Sequence, residues 1–166
     1  MKSPLCEVCL KNEDILCAGC QRKLDTGEIT HTEIEISRIL YSLKDKFKSI
    51  EAGGFKSARE VDNIILLIVP KGVAGKMIGK GGTIITTLQE RLGKRIKIVE
   101  EGTVEDVAKE LLGKTTLVGI NKVFGADGER YKLRVKRRSA PPQLRKEEVE
   151  AIVRAVTGKK AEVVFE

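Results

Sequence analysis

Ile36, Ile39, Leu40, Leu43, Phe47 and Ile50 recur at intervals of three and four, which makes one face of a long helix apolar. Two capping-box spacings, Thr30 with Glu33 and Thr32 with Glu35, mark its start, and Gly53-Gly54 marks its end. The period then shortens. Phe55 to Val61 reads as a strand, Asp62-Asn63 as a turn and the apolar run Ile64 to Val69 as a second strand, so the three form a hairpin that Pro70 terminates. A short helix from about Val73 to Ile78, a glycine-rich turn and a second helix from Thr83 to about Leu92 follow, with Gly93 as the stop. Arg95 to Val99 alternates Ile96 and Ile98 inward with Arg95 and Lys97 outward, the pattern of a half-exposed strand.

Much of that order recurs in the second half. Val104 to Leu112 has helical spacing, Thr116 to Phe124 and Glu129 to Arg137 read as strands around a Gly125-Ala126-Asp127-Gly128 turn, a helix runs from about Pro142 to Thr157, and Ala161 to Phe165 is a last strand. The fold class is therefore α+β. The expected division is a small N-terminal piece over residues 1–27, a first domain over 28–101 and a second over 102–166. Where the first half has helix, glycine turn and helix, the second has Ser139-Ala140-Pro141-Pro142 and one clear helix.

The N-terminal piece is too small to bury a core, and it carries all four cysteines of the chain. Cys6, Cys9, Cys17 and Cys20 form two CxxC pairs separated by seven residues. Each pair lets two thiolates converge, and two pairs complete the tetrahedral all-sulfur shell that Zn2+ takes in structural sites. A shell closed by four protein ligands has no place for water or substrate, so one structural zinc is expected to hold the N-terminus folded. Two disulfides are the alternative, if the chain is secreted or hyperthermophilic. His31, the only histidine, is expected at the surface rather than on the metal.

Charge changes the picture next. The formal net charge is +7, and it is unevenly spread. Residues 71–97 hold seven basic side chains and one acidic, Glu90, while Arg130 to Lys146 holds eight basic and none acidic. Polyanions are the favoured partners. Within Arg130 to Lys136, strand alternation sends Arg130, Lys132, Arg134 and Lys136 to one face and Tyr131, Leu133 and Val135 to the other, which suggests an electrostatic platform. The longest apolar run, Ile64 to Val69, is far below the ~18 residues of a membrane span, and the N-terminus lacks an apolar leader, so a soluble cytoplasmic protein is expected.

The first basic field contains Lys76 and the segment Ile78-Gly79-Lys80-Gly81-Gly82-Thr83. Glycines allow a phosphodiester backbone to reach the main chain, the start of the following helix favours an anion, and Lys80 adds a full charge. The spacing excludes a nucleotide-triphosphate loop, because Ala74 stands where its first glycine belongs and Gly81 where it needs Ser or Thr. A dinucleotide fingerprint would need glycine at Ile84.

Strand, Pro70, helix, Ile78-Gly79-Lys80-Gly81-Gly82, helix and strand resemble the KH domain, whose GxxG loop clamps single-stranded nucleic acid. With the leading helix and hairpin the order is similar to the type II form, and two units in tandem resemble the NusA group and its short archaeal relatives. The resemblance implies three-stranded sheets with helices packed on one face. It also implies that Gly79, Lys80, Gly81 and Gly82 hold the backbone of about four nucleotides, with Ile78 on one side and Ile84 or Ile85 on the other walling an aliphatic groove. With Pro141-Pro142 in place of the GxxG, the second unit is expected to be degenerate, acting as a brace or an electrostatic platform.

The expected function is thus a non-enzymatic protein binding single-stranded RNA, with a role in transcription elongation or termination and RNA polymerase as a possible partner. A ribosome-associated or structural ribonucleoprotein role is the alternative. No small-molecule substrate and no membrane are expected. An enzyme finds little support, since the sole histidine has no visible nucleophile partner and no carboxylate cluster has metal-ligand spacing.

Overall fold

The protein is described by a computed structural model covering residues 1–61, 63–112, 117–126, 128–136 and 145–166. Several expected features lie outside these residues: Asp62 and Asp127 of the two turns, the strand ends at Thr116 and Arg137, the Ser139 to Pro142 segment and the helix start at Pro142. The described chain is α+β and separates into two compact units, Met1–Glu100 and Glu101–Glu166.

The first unit begins with two short helices, α1 (Glu7–Lys11) and α2 (Ala18–Asp25). The chain after Cys20 stays helical as far as Asp25. α3 (His31–Leu43) follows, and of the two capping spacings the Thr30–Glu33 pair is the one that closes. Thr30 Oγ1 accepts from the Glu33 amide at 3.2 Å, and the Glu33 carboxylate accepts from the Thr30 amide at 3.0 Å. Such a cap contributes about 1 kcal/mol. Thr32 lies inside the first turn, where its hydroxyl donates to Glu60 at 3.4 Å.

The expected long helix is shorter than its apolar stripe. α3 stops at Leu43, and Lys48–Ile50 forms a separate 3-10 turn. The stripe is nonetheless continuous in space, because Ile36, Leu40, Leu43 and Ile50 are all buried in one core, with Ile39 and Phe47 packed at its edge.

β1 (Ser57–Val61) and β2 (Ile64–Val69) pair antiparallel with Val61 opposite Ile64, so the turn between them has two residues. β2 then pairs parallel with β3 (Arg95–Glu100), giving the order β1-β2-β3 with the most apolar strand in the centre. β2 is buried at all six positions. Ile65, Leu67 and Val69 join Ile96 and Ile98 of β3 in the core shared with α3, α4 (Ala74–Ile78) and α5 (Thr83–Leu92). Ile84 and Leu88, one turn apart on α5, are sealed in that core.

In the second unit α6 (Val104–Leu112) leads to β4 (Leu117–Gly125), β5 (Gly128–Val135), α7 (Lys146–Thr157) and β6 (Lys160–Phe165). β4 and β5 are antiparallel, β5 and β6 parallel, and the order is β4-β5-β6. Val107, Leu112, Leu133, Val135, Val149, Ile152, Val153 and Val163 are among its buried side chains. No helix among the described residues is long and apolar enough to cross a membrane.

Candidate nucleic-acid interface and metal centre

α4 has only five residues, too few to hold a helix by its own hydrogen bonds. Tertiary contacts fix it. The Ala74 amide donates to Glu100 Oε1 at 3.3 Å, and Ser49 Oγ donates to the Lys76 carbonyl at 3.0 Å. Met77 is 1% exposed, with its Sδ accepting from the Gly54 amide at 3.1 Å. Glu100 can reach α4 because the parallel register sets it beside Val69, the residue before Pro70. Neither Glu100 nor Ser49 was visible as a contributor in the sequence, where parallel pairing had not been deduced.

Beyond Ile78 the chain makes a sharp turn with three glycines at positive φ: Gly79 (79°), Gly81 (67°) and Gly82 (74°). Lys80–Gly82 closes a 3-10 turn, tied by Gly82 N–H to the Gly79 carbonyl at 3.1 Å and by Thr83 Oγ1 to the Lys80 carbonyl at 3.1 Å. The amides of Lys80 and Gly81 open this turn, so they have no partner within it. α5 starts at once, adding the positive end of its dipole.

The glycines serve different ends. A Cβ at Gly79 would lie 2.7 Å from Ile84 Cγ1 and 3.1 Å from the Ile84 backbone nitrogen, so Gly79 lets the turn pack on α5. A Cβ at Gly81 would meet nothing within 4 Å. Lys80 and Gly81 are both exposed. The tip of the turn is therefore bare main chain beside a free-standing cation, with exposed Lys76 on the preceding helix and, among the described residues, no ion pair to either lysine. Ile78 is 38% exposed at the rim.

Of the two candidates for the opposite wall, Ile84 and Ile85, only the second is accessible. Ile84 is 0% exposed, since its position faces the core between Met77 and Leu88, and it cannot contact a base. Ile85, half-buried, is the aliphatic side chain left to that side.

The basic face of β5 also differs from the expectation. Register places Glu162 of β6 next to Lys132, while Lys160 lies next to Arg130. Arg134 is half-buried, spans Gly119 on β4 and pairs with Glu166 at 3.4 Å, so its charge is compensated. Arg130, Lys132 and Lys136 are exposed. On the other face Glu129 pairs with Lys122 at 3.0 Å and Lys159 at 3.6 Å, and Lys122 holds its carboxyl below the usual range. The face has mixed signs because its acidic residues come from a strand distant in sequence.

The four cysteines converge as their spacing indicated. All four sulfurs lie within 4.8 Å of one another, with Cys6–Cys17 at 3.8 Å and Cys6–Cys20 at 3.7 Å. The edge of a tetrahedron with Zn–S bonds of ~2.3 Å is about 3.8 Å, so the set fits a bound ion of that size. No thiol is in a disulfide. The pairs share one local placement that the sequence did not suggest: Cys6 and Cys17 each stand, extended, at the N-terminus of a short helix, and at Cys17 the sulfur accepts from the Cys20 amide at 3.4 Å. Backbone amides lower the Cys6 thiol and bring Cys17 down to about 6, while burial pushes Cys9 up to about 12 and raises Cys20. His31 is exposed and outside the cluster.

Leu5, Leu10, Ile29 and Ile34 pack around Cys9 and Cys20, so the knuckle has its core against α3. Arg38 of α3 completes the joint by donating to the carbonyls of Cys9, Asn12 and Ile15 at 3.4, 2.8 and 3.1 Å.

Comparison with known proteins agrees with this geometry. A KH domain is found at residues 64–111, a span from β2 through the turn and β3 into α6. The chain is also similar to the crystal structure of APE1850, at 24% identity and a TM-score of 0.57, over 75% of this chain and 96% of that one. That likeness concerns the fold alone. No curated protein matches the chain.

Proposed function

We propose that this chain binds single-stranded RNA by clamping its sugar-phosphate backbone on the Gly79–Gly82 turn. The KH domain supports RNA binding in general. The observation that carries the assignment to this turn is the exposed Lys80–Gly81 tip, with open space around Gly81 and α5 starting directly behind it. Phosphate oxygens would accept from the Lys80 and Gly81 amides and pair with the Lys80 ammonium, while Ile78 and Ile85 present aliphatic surface to the bases. With no Trp and few other aromatic residues, the groove reads bases by shape and edge contacts rather than by stacking.

In the finer reading the two units are tandem type II KH domains, the second degenerate, and the protein is a NusA-like, non-enzymatic factor of transcription elongation or termination. The shared strand order and directions of the two sheets support the tandem arrangement. The four-thiolate set favours a structural Zn2+, with every ligand position filled by protein. Cys6, Cys9, Cys17 and Cys20 would hold that ion, and it would supply folding energy to the knuckle.

Replacing Lys80 and Gly81 together by Asp tests the clamp. Two carboxylates would face the phosphates, and affinity for a short single-stranded RNA should fall about 100-fold, on the scale of losing one or two charge-assisted hydrogen bonds. Unchanged affinity in a titration of the folded variant would remove the clamp from this turn.

A further inference from the structure

The metal knuckle and the glycine turn are far apart in the first unit's sequence, yet a continuous set of main-chain and side-chain contacts joins them. Lys2 forms a lone parallel bridge with Gly54: its amide donates to the Gly53 carbonyl at 3.0 Å, and its carbonyl accepts from the Phe55 amide at 2.9 Å. Three residues separate Lys2 from Cys6, and Leu5 among them is buried in the knuckle core. Met1 packs against both the knuckle core and the main core. On the other side, Gly53 and Gly54 lie directly on α4. The Gly54 amide donates to Met77 Sδ, and a Cβ on Gly53 would stand 2.8 Å from that sulfur. Met77 is the residue before Ile78 and two before Gly79.

From these contacts we propose that the four-cysteine knuckle positions the RNA clamp: through Lys2, Gly54 and Met77, its folded state fixes α4 and the Gly79–Gly82 turn. The proposal rests on the reading of that turn as the RNA site. Its physical basis is the weakness of α4 by itself. Five residues give one or two intrahelical bonds, so the helix keeps its place by what it leans on. Glu100 fixes its first amide, Ser49 its Lys76 carbonyl, and the Gly53–Gly54 segment its buried side. The last of these is itself fixed by Lys2. Freeing the Met1–Leu5 segment loosens the support under Met77 and allows the turn more conformations, which lowers affinity by the fraction no longer competent.

Gly54 permits a test that leaves the cysteines intact. Its φ of +127° already excludes most side chains, and a Cβ there would run into the Lys2 backbone, so Gly54→Ala displaces the bridge without touching a thiol or the turn. Two arms are read on the full chain. In the first, amide hydrogen exchange at residues 79–82 is measured without RNA, for the zinc-loaded protein, the chelated protein and loaded Gly54→Ala. In the second, affinity for a short single-stranded RNA is measured on the same samples. The proposal expects exchange at the turn to rise at least fivefold in both altered samples, affinity to fall by a similar factor, and protection in β2 to persist. Met77→Leu, which keeps volume and loses the sulfur acceptor, should give a smaller change of the same sign.

Unchanged exchange at residues 79–82 in loaded Gly54→Ala overturns the coupling, whatever chelation does to the fold. Increased exchange with no RNA binding by the wild-type protein sustains the coupling and removes the RNA reading.

Discussion

The two units share a scaffold and differ in what hangs on it. Each sheet has its hairpin antiparallel and its last strand parallel to the centre, and in each the helix before that last strand ends on a left-handed glycine, Gly93 or Gly158. Gly93-Lys94-Arg95-Ile96-Lys97-Ile98-Val99 and Gly158-Lys159-Lys160-Ala161-Glu162-Val163-Val164 then run in parallel, with Leu67 opposite Ile98 and Leu133 opposite Val163. Even the treatment of the third strand is alike. A side chain of the preceding helix takes an amide of that strand: Gln89 accepts from Ile96 at 3.0 Å and Glu150 from Val163 at 2.9 Å. The glycine turn is what the first unit adds. Gly125 and Gly128 repeat the GxxG spacing, but they join two paired strands and lie opposite each other in the hairpin. The spacing alone therefore does not make the arrangement: only where helices flank it do a helix N-terminus and a cation meet bare main chain.

That contrast can be broken at chosen positions. Among single glycine substitutions Gly79→Ala should have the largest effect, since it combines a left-handed φ with contact against Ile84. A loss of about 2–3 kcal/mol in the first unit's stability, visible as a lowered midpoint in denaturant, and a roughly tenfold weaker grip on RNA are expected. Gly81→Ala sits in the same φ region but in open space, so it should cost only about 1 kcal/mol and reduce affinity a fewfold. Arg130→Ala with Lys132→Ala should weaken binding less still and lower the slope of log affinity against log salt by about 1.4, at about 0.7 for each phosphate contact to a single strand. Gly128→Ala in the hairpin should leave RNA affinity unchanged; a loss equal to that of Gly81→Ala would erase the distinction between the two turns.

Local patterns were the legible part. Element order, the cysteine convergence and the glycine turn followed from spacing within a few residues, and all concern short-range geometry. What stayed hidden depended on partners far along the chain. The capping box was readable, but not that Glu33, 4% exposed, also accepts from the Ala58 amide on the edge strand β1. The stripe from Ile36 to Ile50 identified the core correctly and the helix end wrongly, because a 3-10 turn can present Ile50 to the same core. Ile84 and Ile85 were indistinguishable as groove walls until α5 was oriented on β3. The basic run at Arg130 is unopposed in the sequence because Glu162 arrives on β6 and Glu166 just beyond its end.

Backbone amide resonances report directly on whether RNA lies against the bare main chain at Lys80 and Gly81. On titrating a short single-stranded RNA into the intact protein, the amides of Lys80, Gly81 and Gly82 should show the largest shifts, with those around Ile78 and Ile85 next and those of the Gly125–Gly128 hairpin still. Saturable binding that leaves residues 79–82 unmoved, while the second unit's basic strand shifts, would contradict the account.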